Sequence, residues 1–315
     1  MTVTDWLLDG DPAIRWQVMR DLVGAPADEV TAERARVNRE GWGARLLGLQ
    51  EADGQWAGGA FFPREGWNRE AGEGQPWTAT EPVLTLLRTL GATLPADRVQ
   101  QVADNCRWEN DNQPFFAGET EPCINGRVVA LGVYFEQDVE AVVERLLSEQ
   151  LTDGGWNCEA GFTSTRSSFD TTINVLEGLK AYEEAGGAEV TEARLRGEEY
   201  LLDRQLFRRL STGDVIKPDY LLLAFPGRWH YDVLRALDYF RGSGDPRLAE
   251  ARQLVWDKQQ PDGTWVLEHT YPGRVHFVME QDGKPSRWNT LRALRALQPE
   301  STTSFERPAS GGPAS

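Results

Sequence analysis

The sequence predicts an all-α chain folded as a single (α/α)6 toroid of about twelve helices. Three observations carry that expectation. The pattern Gln-x-x-Asp-Gly-x-Trp occurs three times, as Gln50 to Trp56, Gln150 to Trp156 and Gln259 to Trp265. Apolar helical segments rich in small residues alternate with more polar helical segments, six of each. No stretch reads as a β-rich domain. The toroid is expected to occupy residues 1–300, and the Ser/Pro/Gly-rich tail 301–315 is expected to be disordered.

The first inner-type segment runs from Asp11 to Gly24. Asp11 stands at the N-cap and Pro12 at the first helical position, where a missing N–H costs nothing. Later inner-type segments are Pro76 to Gly91, Pro122 to Glu136, Phe169 to Ala185, Trp229 to Gly242 and Pro285 to Leu297. Their small residues, Gly126, Gly132, Gly178, Ala236, Ala293 and Ala296, suit helices buried on more than one side. The more polar partners are Thr4 to Asp9, Ala32 to Gln50, Ala96 to Glu109, Gln137 to Gln150, Thr191 to Arg209 and Asp245 to Gln260. Inner segments recur at intervals of roughly 46 to 65 residues, near the period of a helical-hairpin array. Six of each kind suggest closure into a ring, since an open array needs polar end caps. A short hairpin is expected between Trp265 and Glu280.

Each Asp-Gly step ends an outer segment, because glycine accepts the left-handed conformation after a helix end. The Trp two residues later then folds back on that end. Trp56, Trp156 and Trp265 therefore read as structural staples.

The repeats resemble the QW-type repeats of squalene/hopene cyclases and of protein prenyltransferase β subunits. The resemblance covers Asp11 to about Leu297. It implies an α/α barrel whose inner-helix ends line an aromatic cavity for isoprenoid chains. The Asp-x-Asp-Asp protonating motif of the cyclases is absent, and no Asp-Asp pair occurs anywhere. A repeat of this kind identifies a fold more securely than a reaction.

Composition narrows the partners. The 315 residues carry 49 acidic against 33 basic side chains, a formal net charge of −16. Such a surface repels nucleic-acid phosphates and anionic lipid. No apolar run is long enough to span a membrane. The acidic start lacks a signal-like pattern, and three sparse cysteines fit reduced thiols, so a cytoplasmic location is expected.

Chemistry is expected at the inner-helix N-termini, gathered at one mouth where six helix dipoles create a positive field. The principal pocket is expected there too, with Trp77, Cys123, Asp170, His230 and Arg287 all approaching it. Asp170 or Glu81 is a candidate general acid, with His230 as an acid–base partner. Trp77, Trp229 and Trp288 offer π faces to cationic character. Asn125 and Arg287 are candidate substrate contacts, and a diphosphate would want Arg15, Arg228 or Arg287.

Protein prenyltransferases hold zinc with an Asp, a Cys and a His. Here Cys123, Asp170 and His230 begin three successive inner segments and form a chemically acceptable zinc set with an open fourth position, although the residue two beyond Cys123 is Asn125, which departs from that family's pattern. The bland readings stand beside these. Asp170 is equally a helix cap, Cys123 a small core residue, His230 a cavity wall, and Glu81 a first-turn acid. The reading leans to an enzyme acting on an isoprenoid or another bulky apolar substrate. A noncatalytic lipid- or peptide-binding toroid is the alternative, and an (α/α)6 carbohydrate-active enzyme with paired carboxylates is the second.

Overall fold

A computed structural model describes residues 2–66, 74–160 and 163–298. The tail 301–315 and the last two residues of the expected domain lie outside the described residues. Among the described residues there are thirteen α-helices and one pair of two-residue strands, so the chain is all-α.

Six helices form the inner ring: α2 (Pro12–Val18), α5 (Thr80–Leu90), α7 (Pro122–Tyr134), α9 (Phe169–Glu184), α11 (Val233–Tyr239) and α13 (Arg287–Ala296). Seven lie outside: α1 (Val3–Leu8), α3 (Ala27–Arg36), α4 (Gly41–Leu47), α6 (Ala96–Asn105), α8 (Glu140–Ser148), α10 (Thr191–Leu202) and α12 (Ala249–Asp257). The sequence reading put one helix where α3 and α4 stand. The chain turns between them, and Gly41 at φ 67° starts the second. Asp11 explains why the break is fixed: its carboxylate accepts from Ala13 N in α2 at 2.9 Å and from Trp42 N in α4 at 2.8 Å. One side chain thus caps two helix starts.

The ring closes through named contacts at every step. Trp16 Nε1 donates to Leu90 O at 2.9 Å, joining α2 to α5. Arg127 of α7 meets Glu81 of α5 at 3.1 Å. Between α7 and α9 the backbones touch. A Cβ on Gly126 would lie 2.4 Å from Asn174 O, and one on Gly178 would lie 2.2 Å from Gly126 O. Arg235 of α11 holds Glu177 of α9 at 2.7 Å. Arg295 of α13 pairs with Asp238 of α11 and donates to Gln17 of α2 at 2.9 Å. These contacts make a closed (α/α)6 toroid rather than an open array.

The three repeated motifs are built alike. Gln50, Gln150 and Gln259 each donate through Nε2 to the carbonyl of the motif glycine, at 2.9, 2.6 and 3.1 Å. Gly54, Gly154 and Gly263 take φ of 89°, 98° and 85°, open to glycine at no steric cost. Each buried indole N–H donates to a carbonyl ten residues earlier, at the end of an outer helix: Leu46, Leu146 and Val255. Each Trp backbone N–H donates to a threonine of the next inner helix, Thr80, Thr172 or Thr290. The motif therefore links an outer helix end to an inner helix start. The strand β1 (Trp265–Val266) pairs antiparallel with β2 (Pro285–Ser286), so the hairpin begins where expected but closes beyond Glu280.

Candidate functional site

Two chambers stand out among the described residues. The larger has a volume of about 450 Å³ and is lined by residues of all six inner helices, most of them beyond the first turn, with Arg34 of α3 and the loop residues Phe225 to Arg228. The smaller, of about 310 Å³, lies by the starts of α9 and α11. The expectation of a principal pocket at the N-terminal mouth is thus corrected. The reason is visible in the α10–α11 connection. Its segment from Leu223 to Tyr231 is held by inner-helix side chains: Asn289 donates to Leu223 O, Arg292 to Ala224 O, Asn174 to Trp229 O and Arg235 to His230 O. Phe225, Pro226, Gly227 and Arg228 line the larger chamber, while Trp229, His230 and Tyr231 line the smaller.

The larger chamber is cationic. Nine arginines and one lysine line it, against three carboxylates, in a chain of net charge −16. Some of these charges are answered. Arg235 is bidentate to Glu177, and Arg295 to Asp238. The Arg235 pair holds the Glu177 carboxyl below its usual range despite its burial. Others are not. Arg127 is only 4% exposed, and its Nε and Nη2 are buried without a hydrogen-bond partner. Arg228 sits over the Trp77 ring at 5.1 Å, and burial pushes its pKa down to about 9. It remains charged at pH 7. Burial also lowers the pKa of Arg88. Helix C-termini contribute the equivalent of about half a negative charge each. That field complements part of the basic excess, yet it does not supply hydrogen-bond acceptors to Arg127. Apolar surface shares the wall: Trp16, Leu86, Phe225 and Trp288. Trp288 stacks on Phe225 at 4.6 Å, and its indole N–H is buried without a partner.

The smaller chamber is aromatic. Trp77, Asp170, Trp229 and His230, all singled out from the sequence, line it together with Tyr220, Tyr231 and Tyr271. His230 is sandwiched between Trp229 at 3.6 Å and Tyr271 at 3.8 Å. Burial pushes its pKa down to about 3, so the imidazole is neutral at pH 7. Ser168, not Asp170, caps α9. Asp170 instead accepts from Tyr220 Oη at 2.8 Å and from Tyr231 N at 2.7 Å.

The remaining sequence candidates lie elsewhere. Glu81 is fully buried against Arg127 and Thr85. Asn125 is spent on the backbone of Glu119, donating to its O and accepting from its N, both at 2.7 Å. Arg287 packs over Trp6 at 4.5 Å, on the α1 side. Arg15 is engaged by Glu33 and Gly10 O. Cys123 does not meet Asp170 and His230. Its thiol faces Glu121 and Cys158, because the loop after Trp156 brings Cys158 over the start of α7. The expected three-residue zinc set is therefore not assembled. Sequence reasoning missed the cationic chamber itself. The available signal was a charge set inside an apolar helix, as Arg127 is within Ile124 to Val129.

No family model matches the chain, and no curated protein matches it. Among solved structures, it is similar to a protein from Actinoplanes at 16% identity, covering 94% of this chain and 96% of that one, with a TM-score of 0.43. It is also similar to the type II terpene cyclase MstE from Scytonema, at 16% identity, 91% and 88% coverage and a TM-score of 0.40. A variant of MstE in complex with geranylgeranyl dihydroxybenzoate, its substrate, gives 16% identity, 94% and 86% coverage and a TM-score of 0.40. At this level of likeness nothing about ligand or reaction passes from those proteins to this one.

Proposed function

We propose that the toroid binds, and acts on, an amphiphilic anion in its larger chamber. The carrying observation is the buried, incompletely paired Arg127 beside Arg88 and Arg228. A guanidinium taken out of water without full pairing costs several kcal/mol. A phosphate, diphosphate or carboxylate head answers that cost with charge-assisted, bidentate bonds. The apolar tail lies against Trp16, Leu86, Phe225 and Trp288. The volume suits a small ligand rather than a polymer. An isoprenoid tail is the specific version of this reading, and it rests on the resemblance of the repeats. Asp170 and His230 line the neighbouring chamber, not the one proposed to hold the anion.

The test separates head from tail. Farnesyl diphosphate, farnesol and inorganic diphosphate are titrated calorimetrically into the full chain. The reading expects farnesyl diphosphate to bind tightest, inorganic diphosphate measurably, and farnesol weakest. Farnesol binding as well as its diphosphate would remove the anion from the account. Absence of binding by all three would remove the isoprenoid version.

A further inference from the structure

A second kind of site lies at the start of α7. Glu121 directly precedes that helix, and its side chain makes no cap bond there. Cys123 is the second residue of the helix. Cys158 sits two residues beyond the pinned Trp156. Their ligand atoms, one carboxylate oxygen and two sulfurs, all lie within 4.8 Å of one another. Among the described residues no other group of three or more His, Cys, Asp or Glu side chains meets that condition. None of the three lines either chamber.

We propose that Glu121, Cys123 and Cys158 bind a thiophilic divalent cation of the zinc class, with water at the fourth position. The spacing fits. Around a tetrahedral zinc with Zn–S of about 2.3 Å and Zn–O of about 2.0 Å, neighbouring ligand atoms stand roughly 3.3–3.8 Å apart. Cys123 Sγ already lies 3.6 Å from Glu121 Oε2. Two thiolates select zinc over magnesium or calcium, which take oxygen ligands.

The helix start faces the site. The thirteen-residue α7 directs its positive N-terminus at the pair. Cys158 is further supported by Thr171, whose Oγ1 stands 3.4 Å from its sulfur. A bound dication holds both sulfurs as thiolates. Glu121 is exposed and Cys158 is only partly buried, which leaves an entry path. Cys106 is fully buried, with its pKa pushed up to about 12, and takes no part.

The site is tested with cobalt as a spectroscopic stand-in for zinc. The reduced full chain, stripped with a chelator, is titrated with Co²⁺ and then with Zn²⁺. The expected result is one equivalent of cobalt, with thiolate-to-cobalt charge-transfer absorption and tetrahedral ligand-field bands that zinc abolishes. Cys123→Ser and Cys158→Ser each remove the bands, Glu121→Gln weakens binding at least about tenfold, and Cys106→Ser leaves it unchanged. If Cys123→Ser fails to fold, Cys158→Ser and Glu121→Gln decide, since those side chains lie nearer the surface. Absence of thiolate–cobalt bands in the native chain, or bands that survive Cys158→Ser, overturns the proposal. Neither outcome bears on the anion site, whose ligands are different residues.

Discussion

Glu81 and Arg127 are the clearest case of a single side chain with a consequence. Both are buried, and they approach to 3.1 Å. Removing one partner of a buried pair strands the other charge, at a cost of roughly 3–5 kcal/mol. Glu81→Gln is therefore expected to lower the urea-unfolding free energy by about 3 kcal/mol. An unchanged midpoint would mean that the pair is already satisfied by solvent.

His230 gives a pH prediction at the same scale. Its folded pKa, about 3, lies below the ordinary value of 6.5. Between those values the unfolded chain binds more protons than the folded one. Stability from this group is then fully present above about pH 6.5 and is lost as pH falls toward about 3. Unfolding free energies at about pH 4.5 and 7 should differ less in His230→Asn than in the wild type. Equal differences in the two proteins would show that the ring is solvated in the folded state.

At the scale of elements, the three motifs work as hydrogen-bonded staples. Each Trp N–H donates to a carbonyl in the last turn of an outer helix, and Leu46 O and Val255 O also accept from Leu49 N and Lys258 N. Trp156→Phe keeps most of the apolar volume but strands Leu146 O. The expected cost is about 1–3 kcal/mol, read from thermal or urea unfolding. A cost well below that range would mean that the staple works by packing alone. Gly126→Ala should also destabilise by about 1–3 kcal/mol or more, because the α7 and α9 backbones must separate.

These staples explain what was legible. Gln50, Gly54 and Trp56 act within about ten residues of one another, so their pattern appears in the sequence. Helix starts were legible for the same reason: Asp11 and Pro12 act locally. The break before α4 was not, because it depends on Asp11 reaching across to Trp42 N. Four aromatic-chamber residues were found because they sit at helix starts. The cationic chamber was missed because Arg88, Arg127 and Arg292 lie further along, and only closure of the ring brings them together. The Cys158 partnership was invisible because it depends on how a loop lies over α7.

For the whole molecule, the decisive feature is an inversion of charge. The chain is strongly acidic, yet the charged groups that line its larger described chamber are mostly basic. Part of that lining laces the inner helices together through Arg235–Glu177 and Arg295–Asp238. Among the described residues no helix is long and apolar enough to cross a membrane. Part of the chain's positive charge thus faces inward, where the proposed anion site would use it. If a surface effect governed anion binding, any lost arginine would weaken it equally. If the chamber governs it, position matters.

The most direct measurement is calorimetric binding of farnesyl diphosphate, or of inorganic diphosphate, to three variants of equal charge change. Arg88→Gln and Arg127→Gln remove chamber groups, while Arg39→Gln removes an exposed one outside it. Losing a hydrogen bond to a charged group is worth about 1.5–3 kcal/mol, or roughly ten- to a hundredfold in affinity. That loss is predicted for Arg88→Gln and Arg127→Gln, with Arg39→Gln matching the wild type. Equal affinity across all three variants would contradict an anion site inside the toroid.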